Sequence, residues 1–486
     1  MSLKKRPTYG FLIFTFILAF IIFPFLKLSY EAYSTVNTIR ETSKSINAYE
    51  KNSGAISESF SRLSSHTKAL NREIRYPLWN ILAHLTNKKQ DFLDLKYAVN
   101  EFSILAPLSQ EFLGFNSPRR YLVIFQNPAE ARGTGGIAGA YAIIVVERGK
   151  FTVSSVGSDL DFKSMSKMPI SISSEFTQNY GDDPAIWQNS NLSPHFPYAA
   201  RIWGALWANQ GGEKIDGVLA VDPFVLKAIL KGTGPIQLPD GIEINAENVV
   251  AETLSTAYTR FEGKNLERKD FLIQIAQGVL SKLETGEFSK ALVARSLLKP
   301  YREHRILLYS NRLKQERGLQ LSTLGGSLDQ YSNDVRVIIQ NIAGNKLDYY
   351  IDRQVKISSL QCGEGSKTRV SLTVTNTATR ILNLPSYVMG RLDIGLPNGK
   401  SNSHKVSVFI FGPKGRELLW GKHVGSAGLD AFSGYERGRA YYSVPVELPA
   451  GGRATVLADF EGSPKGLKVT VQPLVISQKT LIHNRC

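Results

Sequence analysis

The sequence is poor in the residues and motifs that build common catalytic and metal sites. It has two cysteines and seven histidines among 486 residues, and no two histidines are spaced as metal ligands. Gly-x-Ser-x-Gly, His-Glu-x-x-His and Cys-x-x-Cys motifs are absent, and so is a phosphate-binding loop ending in Gly-Lys-Ser/Thr. These absences leave the usual serine-hydrolase, zinc-enzyme and nucleotide-hydrolase templates without support, and no metal site built from histidine or cysteine is predicted.

Long hydrophobic runs are also scarce, since only the N-terminus has one. Residues 7–26 carry no charge, and twenty helical residues span roughly 30 Å, the thickness of the hydrocarbon layer. Lys4, Lys5 and Arg6 precede the run, which favours a cytoplasmic N-terminus. Bulky residues at its end lack a cleavage motif, so residues 1–28 are predicted to be an uncleaved transmembrane anchor in the cytoplasmic membrane. The rest of the chain is then extracytoplasmic.

Acidic residues are outnumbered, with 42 against 58 basic ones, which gives a formal net charge of +16. Such a charge predicts an anionic partner. Membrane lipid, an anionic cell-wall polymer and a lipid-linked pyrophosphate all fit, whereas the extracytoplasmic location excludes nucleic acid. The hydrophobic content of 43% is typical of a folded protein, and the length predicts two or three domains after the anchor.

Glycine and proline are sparse between residues 29 and 115, where Gly54 is the first glycine and Pro77 the first proline. This segment is predicted to be helical, with a break at Pro77. Its apolar stripe is interrupted by serine, threonine and asparagine, which argues against a regular coiled coil. It is interpreted either as a stalk that lifts the remaining chain off the membrane or as a helical subdomain.

An α/β domain with a central sheet and flanking helices is predicted for residues 116–351. Two apolar β-forming runs, Tyr121–Phe125 and Tyr141–Val146, are typical of buried strands. Between them lies a glycine-rich turn that can present backbone N–H groups to an anion, or else is simply a tight turn that needs positive φ. The candidate anion-binding residues in this turn are Arg132, Thr134, Gly135 and Gly136.

The segment 121–136, which reads YLVIFQNPAEARGTGG, resembles domain-of-unknown-function family 4012. That family's pattern is a strand, Gln-Asn, and then Glu-x-Arg-Pro-Thr-Gly-Gly-Phe; here Gly133 and Ile137 replace its proline and phenylalanine. The resemblance extends to about residue 352, but His195 stands where the family has an aspartate. It implies a membrane-anchored bacterial envelope protein without an assigned reaction.

A second resemblance begins at Asp216. The order of a strand with Asp-Gly-Val, a helix, Gly-x-Gly-Pro, a capped helix and Tyr-x-Arg is similar to the LytR–CpsA–Psr family of envelope phosphotransferases. In that family arginines hold a pyrophosphate, an aspartate assists, and a divalent cation such as Mg²⁺ often bridges the phosphates. The resemblance implies ligand-binding roles for Arg260, Arg268 and Lys269, although the family's second and last arginines are missing here.

The acidic partner in such a site is expected in the polar stretch 157–193. Asp159 and Asp161 are the candidates for a catalytic base or a cation ligand. Phosphoryl transfer needs mainly charge neutralisation and positioning, so an arginine cluster with one carboxylate is a sufficient set of groups.

Residues 352–486 change in composition, with short apolar runs alternating with glycine- and proline-rich turns. This pattern predicts a C-terminal β-sandwich. The segment has 18 basic and 9 acidic residues, so it presents either a basic binding surface or a solvated basic face. Cys362 and Cys486 could form a disulfide worth about 4–5 kcal/mol on the chain-entropy model, or the terminal cysteine stays free.

Two classes of function therefore stay open from the sequence. In the first, the protein binds a polyprenyl-pyrophosphate-linked glycopolymer and transfers it to the cell wall. In the second, it is a non-catalytic envelope scaffold that holds an anionic wall polymer or a protein partner. Whether the candidate arginines meet in one pocket with an apolar floor distinguishes the two classes.

Overall fold

The computed structural model describes the backbone of residues 9–47, 53–378, 384–397, 399, 401, 403–425 and 430–483. Side chains are described over the same ranges except for 9–25, 46–47 and 53–54. The chain forms two compact units. The first contains the residues up to Arg119 together with Val146–Lys150, and the second contains Arg120–Val145 and the chain from Phe151 onward.

Thirteen helices and seventeen strands are assigned in the described ranges. The helices are α1 Tyr9–Asn47, α2 Ser53–Glu73, α3 Pro77–Leu85, α4 Lys89–Phe112, α5 Ser174–Tyr180, α6 Phe196–Asn209, α7 Pro223–Thr233, α8 Val249–Ala251, α9 Ala257–Arg260, α10 Asn265–Thr285, α11 Lys290–Arg302, α12 Leu313–Leu319 and α13 Ser386–Met389. The strands are β1 Arg119–Arg132, β2 Gly135–Glu147, β3 Lys150–Ser158, β4 Gly217–Val221, β5 Ile236–Gln237, β6 Glu243–Ile244, β7 Leu307–Ser310, β8 Asp334–Asn341, β9 Ile351–Gln361, β10 Lys367–Asn376, β11 Ser403–Phe411, β12 Leu418–Val424, β13 Phe432–Glu436, β14 Arg439–Pro449, β15 Arg453–Glu461, β16 Lys468–Val471 and β17 Lys479–His483.

The first unit is helical, as the sequence predicts for residues 29–115. Helices α1 and α2 run antiparallel, and α4 returns along α2. Pro77 starts α3 at a position where its missing N–H costs nothing. Most side chains of the predicted anchor, residues 1–28, lie outside the described residues. Among the helices described, none is both long enough and apolar enough to cross a bilayer.

The second unit begins with a five-stranded mixed sheet in the order β3-β2-β1-β4-β7. Strand β1 is parallel to β4, and β4 is antiparallel to β7. Because side chains alternate along a strand, Leu122 and Ile124 face one core with α6, while Val123 faces another with α7 and α10. The sheet is thus covered by helices on both faces, in agreement with the predicted α/β class.

Local signals position the helices behind this sheet. Asp222 caps α7 by accepting hydrogen bonds from the N–H groups of Phe224 and Val225, and Pro223 occupies the first helical position. The chain then enters a π-helical turn, Glu252–Thr256, between α8 and α9. Such turns distort the hydrogen-bond ladder and often occur at functional sites. This one faces the cavity described below.

Two further five-stranded sheets pack face to face as a β-sandwich, in the orders β12-β15-β10-β9-β17 and β13-β14-β11-β8-β16. Their inward residues, mostly valine, leucine and isoleucine, share one core. The predicted boundary at residue 352 needs a correction, since β8 pairs with β11 and β16 inside the sandwich. Strands β8 and β9, although adjacent in the sequence, lie in different sheets. The four-residue helix α13 interrupts the expected series of strands.

Candidate functional site

A cavity of about 500 Å³ opens in the second unit, a volume suited to a small molecule or to the head of a larger one. Its charged lining consists of four cations and two carboxylates, a formal excess of two positive charges. These groups are Arg132, Arg268, Lys269, Lys346, Glu130 and Asp159. Apolar side chains from the sheet, the helices and the π-helical turn make up another part of the lining, which we call its apolar floor: Phe125, Ile137, Leu226, Leu254, Leu272, Ile275 and Ala276. We call this the basic cavity.

Helix α10 brings Lys269 to one wall of the basic cavity. The Lys269 ammonium forms an ion pair with Asp159, and both side chains are mostly buried. The Gln188 amide donates a hydrogen bond of 3.0 Å to the other oxygen of the Asp159 carboxylate. Asp159 therefore lies where the sequence hypothesis needs it, with its charge balanced by a lysine.

A second lysine–carboxylate pair in the same cavity joins two residues that are far apart in the sequence. Lys346, from the loop after β8, forms an ion pair with Glu130 of β1. Both residues are buried, at 7% and 6% exposure. Burial lowers the pKa of the Lys346 ammonium, but the Glu130 carboxylate, with smaller contributions from Tyr387 and Tyr258, outweighs burial and holds that pKa above its ordinary value. Lys346 is therefore charged at neutral pH.

Two tyrosine rings hold Arg268. Its guanidinium carbon lies 4.6 Å from the ring centroid of Tyr258 and 4.9 Å from that of Tyr387, within range of cation–π attraction. Asn127 donates a hydrogen bond of 2.7 Å to the Tyr258 hydroxyl. Burial raises the pKa of that hydroxyl, although the neighbouring cations oppose the shift. Arg268 is thus a buried, oriented cation in the lining of the cavity.

Arg132 lines the cavity but directs its donors into the protein. Its Nε donates to the Gln188 carbonyl at 3.2 Å, and Nη1 donates to the carbonyls of Ala131 at 2.9 Å and Asn341 at 3.1 Å. Its Nη2 donates to the Asn189 side chain at 3.2 Å and lies 3.9 Å from Glu130. Arg132 therefore contributes positive charge to the cavity and fixes the backbone of its wall.

The glycine-rich turn adopts a different form from the one its sequence suggests. Strand β1 continues to Arg132 and β2 starts at Gly135, so only Gly133 and Thr134 form the turn. The Thr134 hydroxyl donates to the Gln126 side chain at 2.8 Å and accepts from Asn191 at 2.8 Å. Gly135 has a φ of 142°, a backbone conformation that residues with a side chain rarely adopt.

Gly136 packs against backbone, because a Cβ there would lie 2.1 Å from the carbonyl of Asn127. Thr134, Gly135 and Gly136 all lie outside the lining of the basic cavity. Their positions correspond to the tight turn that the sequence left open as the alternative to an anion-binding loop.

Two further candidates lie away from the cavity. Arg260 forms an ion pair of 2.8 Å with Glu252 and lies over the Phe271 ring at 5.1 Å. Asp161 closes a capping box by accepting a hydrogen bond of 3.0 Å from the Ser158 N–H. Of the predicted site residues, Arg132, Arg268, Lys269 and Asp159 converge on the cavity, while Arg260 and Asp161 do not line it.

His195, at the position where the resembled family has an aspartate, is a buried structural residue. Its Nδ1 accepts a hydrogen bond of 3.1 Å from the Leu328 N–H, which places the proton on Nε2. Burial lowers the pKa of this imidazole to about 3, with a further contribution from Arg437. It is therefore neutral at physiological pH and lies outside the lining of the basic cavity.

A divalent cation does not fit the cavity's protein groups by themselves. Glu130 and Asp159 each already face a lysine, and among the described residues no cluster of three or more metal-ligating side chains occurs. Cys486, the expected disulfide partner of Cys362, lies outside the described residues, so that bridge stays a prediction.

Sequence reasoning missed most of the polar groups in the cavity. Glu130, Asn127 and Tyr258 lie inside the recognised motifs, next to residues that were selected, and their position there was the available signal. Lys346 and Tyr387 come from segments outside the motifs. No local pattern distinguishes this lysine from the many others of a basic chain.

Comparisons with known proteins agree with part of this interpretation. Residues 116–258, less than half of the chain, match the family described as a protein of unknown function (DUF4012). This match supports the resemblance seen in residues 121–136. No curated protein matches the chain.

Among solved structures, the transcriptional regulator yvhJ from Bacillus subtilis is similar at 11% identity, over 43% of this chain and 77% of that one, with a TM-score of 0.22. Lin1025 protein from Listeria innocua is also 11% identical, over 46% and 85%, with a TM-score of 0.22. A putative nutrient binding protein from Legionella pneumophila shares 10% identity over 27% and 46%, with a TM-score of 0.15. Likeness at this level carries no argument about function.

Proposed function

We propose that this is a membrane-anchored, extracytoplasmic protein of the bacterial cell envelope whose basic cavity binds a polyprenyl-pyrophosphate-linked glycopolymer. One observation carries the proposal: Arg132, Arg268, Lys269 and Lys346 surround a cavity with an apolar floor. A pyrophosphate needs several cations, and the first isoprene units of its lipid need apolar surface. The proposed fold relationship is with the LytR–CpsA–Psr family, and the membrane placement rests on the apolar sequence 7–26 and the basic residues before it.

Binding would proceed by exchange of ion-pair partners. In the free protein Lys269 faces Asp159 and Lys346 faces Glu130. A pyrophosphate with more negative charge than either carboxylate draws both ammonium groups toward itself, while Arg268 is already held by its tyrosines. The buried surroundings strengthen each of these contacts relative to water.

The same exchange supplies a base for transfer. Once Lys269 turns to the phosphate, the Asp159 carboxylate is free to accept the proton of an acceptor hydroxyl on the wall polymer. That hydroxyl oxygen forms a bond to the phosphorus of the glycan phosphate, the bond to the polyprenyl phosphate breaks, and polyprenyl phosphate leaves. The cations neutralise the charge that develops on the transferred phosphate.

Isothermal calorimetry with farnesyl pyrophosphate tests the binding step. Lys269→Met should weaken binding by about tenfold to a hundredfold, the range for a charge-assisted hydrogen bond. Lys264→Met is the matched control, because Lys264 is an exposed residue at the start of the same helix and does not line the cavity. Inorganic pyrophosphate and farnesol should each bind more weakly than the whole amphiphile. Equal affinity of both variants and the unchanged protein would overturn the proposal.

The alternative is a non-catalytic envelope scaffold that holds an anionic wall polymer or a protein partner. It is favoured by the pairing of both cavity carboxylates with lysines. Asp159→Asn separates the two functions when binding and transfer of a lipid-linked glycan are measured together. An Asp159→Asn variant that still binds the glycan but no longer transfers it indicates an enzyme. If the protein without the substitution also shows no transfer activity, it is a scaffold.

A further inference from the structure

The helical unit exposes apolar side chains on one hairpin, formed by α3 and the start of α4. In α3, Trp79 and Ala83 are buried, whereas Ile81, Leu82 and Leu85 are 57%, 37% and 76% exposed. The first turns of α4 add two exposed leucines. Large apolar side chains grouped in this way indicate an interaction surface.

Contacts between α1 and α2 show beside which residues of α1 the hairpin begins. The Lys27 ammonium lies 2.9 Å from the Glu73 carboxylate, and Ser45 lies 3.1 Å from Ser59. Helix α2 therefore ends beside Lys27, which is the first charged residue after the apolar sequence 7–26. Because α3 begins at Pro77, the hairpin starts at the end of that apolar sequence.

The direction of the hairpin follows from the contacts of α4. Asn71 of α2 donates a hydrogen bond of 2.9 Å to Ser103 of α4, and Arg75 donates one to Asn100. Residues 89–99 of α4 thus extend past the end of α2 by about 16 Å at 1.5 Å per residue. They extend toward the side on which the apolar part of α1 continues.

We propose that the α3–α4 hairpin is a membrane-surface element that lies in the headgroup layer of the outer leaflet, with Ile81, Leu82 and Leu85 in contact with acyl chains. This inference rests on the membrane placement in the proposed function and adds a second, peripheral attachment to it. Apolar groups on a short helix combined with nearby cations are typical of interfacial helices.

The charges around the hairpin are net basic, since residues 72–99 carry five lysines and arginines against three acidic residues. Lys88 and Lys89 lie at its tip and Arg72 and Arg75 at its base, all of them exposed. Each basic group near an anionic surface adds attraction that falls with salt. Tyr30 and Tyr33 of α1, 62% and 67% exposed, follow closely after Lys27. Exposed tyrosines at this position are typical of the interface between lipid and water.

Photo-crosslinking of the full chain in nanodiscs of phosphatidylethanolamine and phosphatidylglycerol tests the proposal. Leu85→benzoylphenylalanine should form lipid adducts upon illumination. Glu58→benzoylphenylalanine is the matched control, since its side chain is 71% exposed on α2 and lies about 22 Å along that helix from Glu73. Mass spectrometry should find lipid adducts at position 85 and far fewer at position 58. Far-UV circular dichroism verifies that both variants are folded.

The other outcomes are distinguishable. A folded chain that stays in nanodiscs but forms no lipid adduct at position 85 overturns the hairpin proposal alone. Adducts there with a second copy of the chain overturn it in favour of self-association. A chain that does not associate with nanodiscs at all overturns the proposed membrane placement together with the hairpin.

Discussion

Replacing Arg132 distinguishes a ligand contact from a structural residue. The sequence-based hypothesis makes this arginine a contact for pyrophosphate, in which case a substitution weakens binding and leaves stability unchanged. The geometry leads to a different expectation, because Arg132 is 7% exposed and donates hydrogen bonds to three carbonyl oxygens and one amide oxygen of the protein. We therefore expect the main effect on stability.

The magnitude follows from the number of partners. Each such bond to a charged group contributes about 1.5 kcal/mol or more, and part of this is recovered when water reaches the carbonyls in the variant. We expect Arg132→Ala to lower the free energy of unfolding by about 3 kcal/mol. Arg132→Lys keeps the charge but loses the planar fork, so about half of that loss should remain.

Urea denaturation of the variants measures the loss, and hydrogen exchange locates it. Exchange should accelerate at residues 188–189 and near Asn341, whose carbonyls and side chains Arg132 holds. Arg295→Ala is the control, since Arg295 is an exposed arginine on α11. An Arg132→Ala protein that unfolds at the same urea concentration as the unchanged chain, and binds farnesyl pyrophosphate more weakly, would refute this reasoning.

Four further outcomes are expected. Lys346→Met should lower the free energy of unfolding by about 3–5 kcal/mol because it leaves the buried Glu130 carboxylate unpaired, and the double variant with Glu130→Gln should recover much of this loss in urea titrations. Arg260→Ala should leave farnesyl pyrophosphate binding unchanged, since Arg260 does not line the cavity; weaker binding in calorimetry would contradict its placement. Burial raises the pKa of Glu436 to about 7, so the folded chain holds a proton that the unfolded chain loses, and stability should fall as pH rises from about 4.5 to 7 in the unchanged protein but less in Glu436→Gln. Burial lowers the pKa of His195 to about 3, so stability should fall as pH drops below about 6.5, and a His195→Gln variant that shows the same loss in melting curves would contradict this assignment.

Much of the α/β fold could be predicted because its signals are local. The apolar runs that became β1 and β2, and the Asp222-Pro223 start of α7, each specify a strand or a helix end within a few residues. The boundary of the sandwich could not be predicted in this way. All eight residues of β8 are buried, because Val335, Val337 and Ile339 lie in the sandwich core and the other face is also covered. On that other face Gln340 donates to the carbonyl of Leu192. Its alternating polar and apolar residues indicate a strand but do not reveal which sheet the strand joins.

The residues of the candidate site also differ in whether a local sequence motif could identify them. Arg132, Arg268, Lys269 and Asp159 were selected by motif and do converge on one cavity. Lys346 could not be found, because its role depends on a partner 216 positions away in the chain, Glu130. Arg260, by contrast, was selected by its motif position but does not line the cavity. The motif does not reveal that its side chain pairs with Glu252.

The pairing of cavity lysines with carboxylates explains how a buried basic cavity can be stable. Four cations around an apolar floor would repel one another strongly, and the cost of desolvating each would be uncompensated. Asp159 and Glu130 remove most of that cost, and they also hold Lys269 and Lys346 in fixed positions. On the proposed function, an anion must replace these contacts with stronger ones, which we expect of a pyrophosphate and not of a singly charged carboxylate. We therefore propose that the same carboxylates that stabilise the basic cavity also select for highly charged anions.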